Sequence, residues 1–271
     1  MARYAAEGAQ VTLVTCTLGE QGEVIPPGLK HLEAAADDAL GPHRAGELAA
    51  ALAELGVADH RLLAEGRWRD SGMAWTEPRI AGAGSWAAGP EALVNADLAV
   101  AASALAAVLR EVRPQVVVTY DPRGGYGHPD HIKAHEIATA ATDLVKDEAF
   151  VQAVYWIRVP RSVAESERVQ LIDGGWTPAS MVPPPCHAAY PPAVVDDDVL
   201  TTVIDGSAHL ERKRAALRAH ATQVRVEGDC FALSNGVAHL LTGVEAFQRV
   251  GAGRGEPWAD DLFAVTQRHG R

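Results

Sequence analysis

Between Tyr120 and His131 the chain reads Tyr-Asp-Pro-Arg-Gly-Gly-Tyr-Gly-His-Pro-Asp-His, setting two histidines, two aspartates and two tyrosines among five glycines and prolines. Neutral imidazoles and carboxylates are the usual donors of catalytic zinc sites, where three protein groups hold the metal and water takes the remaining place. His128, Asp130, His131 and His135 could supply such donors. His131 and His135 are four residues apart and would share one face of a helix, whereas His128 precedes that helix and can point independently. The spacing leaves open which of them would touch a metal, and a histidine pair so spaced also suits a surface or structural use.

These residues need elements to hold them. The apolar run Gln115–Thr119 directly before the motif reads as a buried strand, the glycines permit a sharp turn, and Pro129 can open a helix at its first turn. The polar groups would then lie at the carboxyl end of a strand, where open α/β sheets bind ligands. Val11–Cys16 reads as another strand, and the Gly-interrupted acidic loop after it, with Glu20 and Glu23, would face the same cleft. Helices are expected over Arg44–Leu55, Glu91–Val112 and His131–Val145, with a short strand at His60–Ala64. Strand–helix alternation of this kind indicates crossover units and a parallel sheet. After about residue 158, Pro160, Pro178, Pro183–Pro185 and Pro191-Pro192 predict irregular surface. Regularity returns at Val199–Ile204 (strand) and His209–Ala221 (helix), followed by a tail with Val244–Val250 and Leu262–Val265. The expected fold is α/β: a Rossmann-like, mostly parallel sheet with helices on both faces, a core over 1–158 and a smaller C-terminal lobe over 159–271.

At 271 residues, 48% hydrophobic and 22% charged, the chain can bury one substantial core. Its net charge of −11 argues against nucleic acid or an anionic membrane as partner, since both call for a basic face. No window reaches the run of about 18 apolar residues of a membrane span, and a basic-then-apolar leader pattern is missing, so the expected location is the cytoplasm. Cys16, Cys186 and Cys230 are odd in number and far apart, which suits small buried thiols better than disulfides or a four-cysteine zinc site.

The stretches Val14–Val24 (VTCTLGEQGEV), His43–Leu48 (HRAGEL), Arg67–Met73 (RWRDSGM), Val117–His131 (VVTYDPRGGYGHPDH), Ala219–Val224 (AHATQV) and Ala232–Asn235 (ALSN) together resemble the PIG-L/LmbE-like zinc deacetylases, and within them the branch of mycothiol biosynthesis. The resemblance implies a zinc-dependent hydrolase that removes acetate from N-acetylglucosaminyl-inositol, a small-molecule substrate, with one zinc ion per subunit. Homo-oligomerisation stays open. It further implies that His131 is a zinc ligand, that a protonated His128 stabilises the tetrahedral oxyanion, and that Tyr126 is a mobile phenol closing over the reacting carbonyl. Asp130 would support the charge of His128, and Arg44, Asp70, Glu20 and Glu23 would form the sugar and inositol contacts. From the residues alone, Asp130 could equally be a helix-start residue, Arg44 a surface partner of Glu47, and Asp70 a turn residue; core packing suits His220 and Gln223.

One departure is plain. The family's first motif, His-Pro-Asp-Asp-Glu, would supply two zinc ligands and a general-base aspartate at the end of a first strand, and Met1–Cys16 holds no histidine or aspartate. Met1–Ala6 reads as a helix tail with Gly8 as its cap, so the first strand is expected to be missing from this sequence, with about two dozen residues of strand, motif and helix upstream. The alternatives are a mycothiol-conjugate amidase, a related glycosyl N-deacetylase, or a non-catalytic sugar-binding relic.

Overall fold

The computed structural model describes residues 1–84, 88–255 and 257–264. The elements are α1 (Ala2–Ala6), β1 (Thr12–Thr15), α2 (Leu40–Leu55), β2 (Asp59–Leu62), β3 (Ala74–Glu77), β4 (Ile80–Gly82), α3 (Leu98–Val112), β5 (Val116–Thr119), the single turn α4 (Gly124–Gly127), α5 (Pro129–Leu144), β6 (Ala153–Pro160), α6 (Arg161–Ile172), β7 (Val194–Val195), β8 (Thr202–Asp205), α7 (Leu210–Ala219), β9 (Arg225–Glu227), β10 (Cys230–Ala232), β11 (Ala238–Leu240) and β12 (Val244–Arg249).

The architecture is α/β. β1 pairs in parallel with β2, β5 with β6, and the short β7 with the end of β6. The far half of the larger sheet is antiparallel, in the order β5-β6-β12-β8, so strands from both sides of residue 158 share one sheet. Among the described residues β1 pairs only with β2 and β5 only with β6, leaving the sheet in two pieces. Helices α3 and α5 carry both pieces: Val14 and Cys16 pack on a cluster that includes Leu93, Ala101 and Ile137, and Val117 packs on one that includes Ala106, Leu109 and Ala141.

Local chemistry explains most boundaries. The helix expected from Glu91 begins at Leu98, because the Asp97 carboxylate caps it by accepting from the Ala99 and Val100 amides at 2.8 and 3.1 Å. Helix α5 opens at Pro129, whose missing N–H costs nothing in a first turn. Helix α6 lies inside the segment expected to be irregular. Pro160 precedes its first turn rather than interrupting it, and Ala164 and Leu171 fall on its buried face. The hairpin β3–β4 and the meander β9–β10–β11 carry three- or four-residue strands too short for a periodic signal. The residues at Leu262 form a turn, while Val265 lies outside the described residues. Among the described residues no helix is long and apolar enough to cross a membrane.

Candidate active site

The turn after β5 is built around Asp121, which is fully buried. Its Oδ1 accepts from the Arg123 amide at 2.7 Å, its Oδ2 accepts from the Gly125 amide at 3.0 Å, and the Arg158 guanidinium lies 3.4 Å away. The chain then reverses within α4, where Gly124 has φ of +66° and a Cβ would fall 2.8 Å from the Ile132 amide nitrogen. This close approach brings the turn against the first turn of α5.

His128 caps that helix with its ring: Nδ1 accepts from the Asp130 amide at 3.1 Å. An accepting Nδ1 leaves the ring proton on Nε2, an assignment made from the hydrogen-bond network. Burial lowers the pKa of His128, opposed by Asp70 and reinforced by Arg44. The protonated imidazole that the resemblance implies would have to give up this Nδ1 contact, because both of its ring nitrogens then carry protons. His131 is sandwiched, with Tyr120 at 4.1 Å and His128 at 4.7 Å between ring centroids. Its Nδ1 donates to the Gly124 carbonyl at 3.3 Å, so the Nε2 lone pair is free, and burial first, then His128, pushes its pKa down to about 3. His135 is turned away, with Nδ1 donating to the Tyr120 carbonyl at 2.9 Å and its ring edge-on to Trp156.

The Asp130 carboxyl does not reach His128. Its Oδ2 accepts from the Ser71 amide at 2.9 Å, fastening the Arg69–Gly72 loop to α5, and burial, with Asp70 alongside, raises its pKa to about 6. Asp70 has the turn contact expected of it, with Oδ1 accepting from the Gly72 amide at 2.7 Å, and it also lines the cavity. Glu20 acts through that loop, accepting from the Asp70 amide at 2.9 Å, and is not among the residues that line the cavity. Glu23 stands exposed at the mouth.

Arg44 makes no ion pair with Glu47. Its Nη1 donates to the Gly19 carbonyl at 3.0 Å, its Nε is buried with no partner among the described residues, and it faces the cavity. A Cβ on Gly19 would overlap the guanidinium at 1.3 Å, so this glycine makes the room that Arg44 occupies. Glu47 instead takes the Thr222 amide at 2.8 Å and its hydroxyl at 2.6 Å. That tether brings His220 and Gln223, for which core packing was expected, to the cavity wall.

Tyr126, His128, Asp130, His131, Arg44 and Asp70 thus surround one cavity of about 390 Å³. The sequence reading missed Trp75, Leu233 and Ser234 as part of its wall, although Ser234 lies in a stretch that carries the family resemblance. The donor set does not fit zinc as it stands: His131 Nε2 is suited to a metal, but no three His, Cys, Asp or Glu groups converge to hold one among the described residues.

A parallel-containing α/β sheet with an imidazole-rich turn at a strand end, opening on a cavity, defines the class: an α/β protein with a small-molecule site at the carboxyl end of a strand. The chain belongs to the family described as PIG-L: GlcNAc-PI de-N-acetylase, which matches residues 1–142. A protein of Streptomyces avermitilis called 1D-myo-inositol 2-acetamido-2-deoxy-alpha-D-glucopyranoside deacetylase is 54% identical over 275 residues, covering 97% of this chain and 90% of that one. Proteins of the same name from Streptomyces griseus subsp. griseus (50% over 277 residues; 97% and 82% covered) and Geodermatophilus obscurus (48% over 277 residues; 97% and 90% covered) are also similar.

Proposed function

We propose that this chain removes acetate from 1D-myo-inositol 2-acetamido-2-deoxy-alpha-D-glucopyranoside, leaving a free amine on the sugar, as expected of the mycothiol branch of the family. The observation that carries this is the 54% identity, across 97% of the chain, to a protein bearing that activity in its name. Amide hydrolysis forms a carbon–oxygen bond from water, breaks the carbon–nitrogen bond and moves a proton to the departing amine, and its barrier is dominated by charge growing on the carbonyl oxygen.

Two groups of this chain can donate to that oxygen. His128 is held as an Nε2–H donor by the Asp130 amide on its other nitrogen. Burial raises the Tyr126 pKa, so its phenol stays protonated at neutral pH and can donate as well. Donors already in place are worth more than donors that must be ordered, and losing one costs other enzymes about 10²–10³ in rate. Arg44, with its planar fork, and the second oxygen of Asp70 suit the hydroxyls of a sugar or inositol ring. Glu23 serves at the cavity mouth, Glu20 holds the Asp70 backbone, and Asp130 holds Ser71. We assign zinc as the cofactor and His131 as the ligand this chain brings to it. Among the described residues the donors do not complete a zinc site. The partner we assign is a small sugar-inositol and the compartment the cytoplasm; the net charge of −11 disfavours nucleic acid and an anionic membrane.

Calorimetric titration with the sugar-inositol, alongside an assay for released acetate, tests the proposal. Binding that Arg44→Ala and Asp70→Asn weaken tenfold or more supports it. A protein that neither binds the compound nor releases acetate refutes it.

A further inference from the structure

Tyr126 has little of its own to hold it. The flanking glycines, at φ of +75° for Gly125 and +97° for Gly127, give the turn backbone a freedom other residues lack. Its ring meets His131 edge-on at 5.1 Å and His128 at 6.1 Å between centroids. One side chain lies flat against it: the Trp75 indole, at 5.8 Å and 23° between planes.

Trp75, in turn, is fixed from the opposite side of the cavity. Its Nε1 donates to Ser234 Oγ at 3.1 Å, and the neighbouring Asn235 Nδ2 donates to the Pro78 carbonyl at 2.7 Å, so the loop between β10 and β11 grips hairpin β3–β4 at two points. Arg79, 5% exposed, roots the same hairpin by donating to the Ala238 carbonyl and to Glu167 Oε1. The Ala81 carbonyl lies so close to Gly127 that a Cβ there would come within 2.4 Å of it. The hairpin is therefore a braced arm reaching from the C-terminal meander onto the one turn that carries Tyr126.

We propose that Trp75, anchored by Ser234, is the positioning residue of Tyr126: it sets where the phenol stands over His128 and His131. An offset aromatic stack stabilises a ring beyond what its buried area supplies, which favours one placement of a ring on a glycine-flanked turn. The role rests on the deacetylase reading of the cavity only for its consequence in turnover, not for the placement itself.

The test separates these. The full chain is labelled with 3-fluorotyrosine and the resonance of residue 126 is assigned by its loss in Tyr126→Phe. In Trp75→Ala that ¹⁹F resonance is expected to shift and broaden, in Ser234→Ala to shift less, and in Trp75→Phe to stay near its original position, with unfolding midpoints confirming that each variant is folded. Where the wild type turns over, kcat of Trp75→Ala should fall about tenfold with KM within twofold, and Trp75→Phe should restore it. A residue-126 resonance unchanged in both folded Trp75→Ala and Ser234→Ala overturns the inference. Failure of the deacetylase reading would show instead as absent substrate binding by the wild type, with the ¹⁹F response intact.

Discussion

Replacing Glu47 by alanine removes the acceptor of two groups on Thr222, a residue 175 positions further along the chain and fully buried. The backbone N–H, bonded at 2.8 Å, and the hydroxyl, bonded at 2.6 Å, would both lose their carboxylate partner. Each orphaned buried group costs about 1–3 kcal/mol, so the variant should lose about 3–5 kcal/mol, a large part of the 5–15 kcal/mol that holds a typical domain folded. Thr222 is also a junction, because its carbonyl accepts from the Ile25 amide at 2.8 Å and ties the loop after β1 to the end of α7. Glu47→Gln keeps one acceptor and should cost about 1–2 kcal/mol; Thr222→Val keeps the amide but strands a carboxylate oxygen, at about 1.5–3 kcal/mol. The double change Glu47→Ala with Thr222→Val should be less damaging than the sum by about 1–2 kcal/mol, since the hydroxyl that Glu47 serves is already gone. Urea unfolding of the four proteins reads this directly. A loss below about 1 kcal/mol in Glu47→Ala, or strict additivity in the double variant, would refute the claim that this contact joins α2 to the cavity wall.

Further outcomes are expected. Gly127→Ala must place a side chain at φ of +97° and 2.4 Å from the Ala81 carbonyl, and should lower stability by about 2–4 kcal/mol in thermal unfolding; a neutral result would mean the hairpin does not press on this turn. After loading with zinc and exhaustive dialysis, the protein should retain far less than one equivalent by metal analysis, because no three His, Cys, Asp or Glu groups converge to hold an ion among the described residues; stoichiometric retention would contradict that. His239 is held neutral, its pKa pushed down to about 3 by burial and by Arg79, so the unfolded chain takes up its proton first as pH falls. Its contribution is intact above about pH 6.5 and is lost between there and pH 3, at about 1–2 kcal/mol by pH 5 given its partial exposure; His239→Phe, stacking on Phe231, should flatten the pH dependence of unfolding in that window.

The sequence by itself determined the local elements that carry the polar groups of the cavity. The run Val116–Thr119, the glycines of the following turn and Pro129 settle where strand, reversal and helix fall, because each acts through its own φ, ψ and hydrogen-bonding limits over a few residues. His128, His131, Tyr126, Arg44 and Asp70 were legible for the same reason: they sit in short stretches whose composition is unusual and whose local geometry is narrow. What only the tertiary structure decided is which face each polar group turns to the cavity. His135 is withdrawn by the Tyr120 carbonyl, Glu20 is committed to the Asp70 amide, and Glu47 serves Thr222 rather than Arg44. Trp75 and Ser234 could not be read in advance at all, since they lie 159 residues apart and meet through short strands with no periodicity of their own. Burial and pairing across such distances depend on the whole chain being packed, and that packing is also what lowers the pKa of His128.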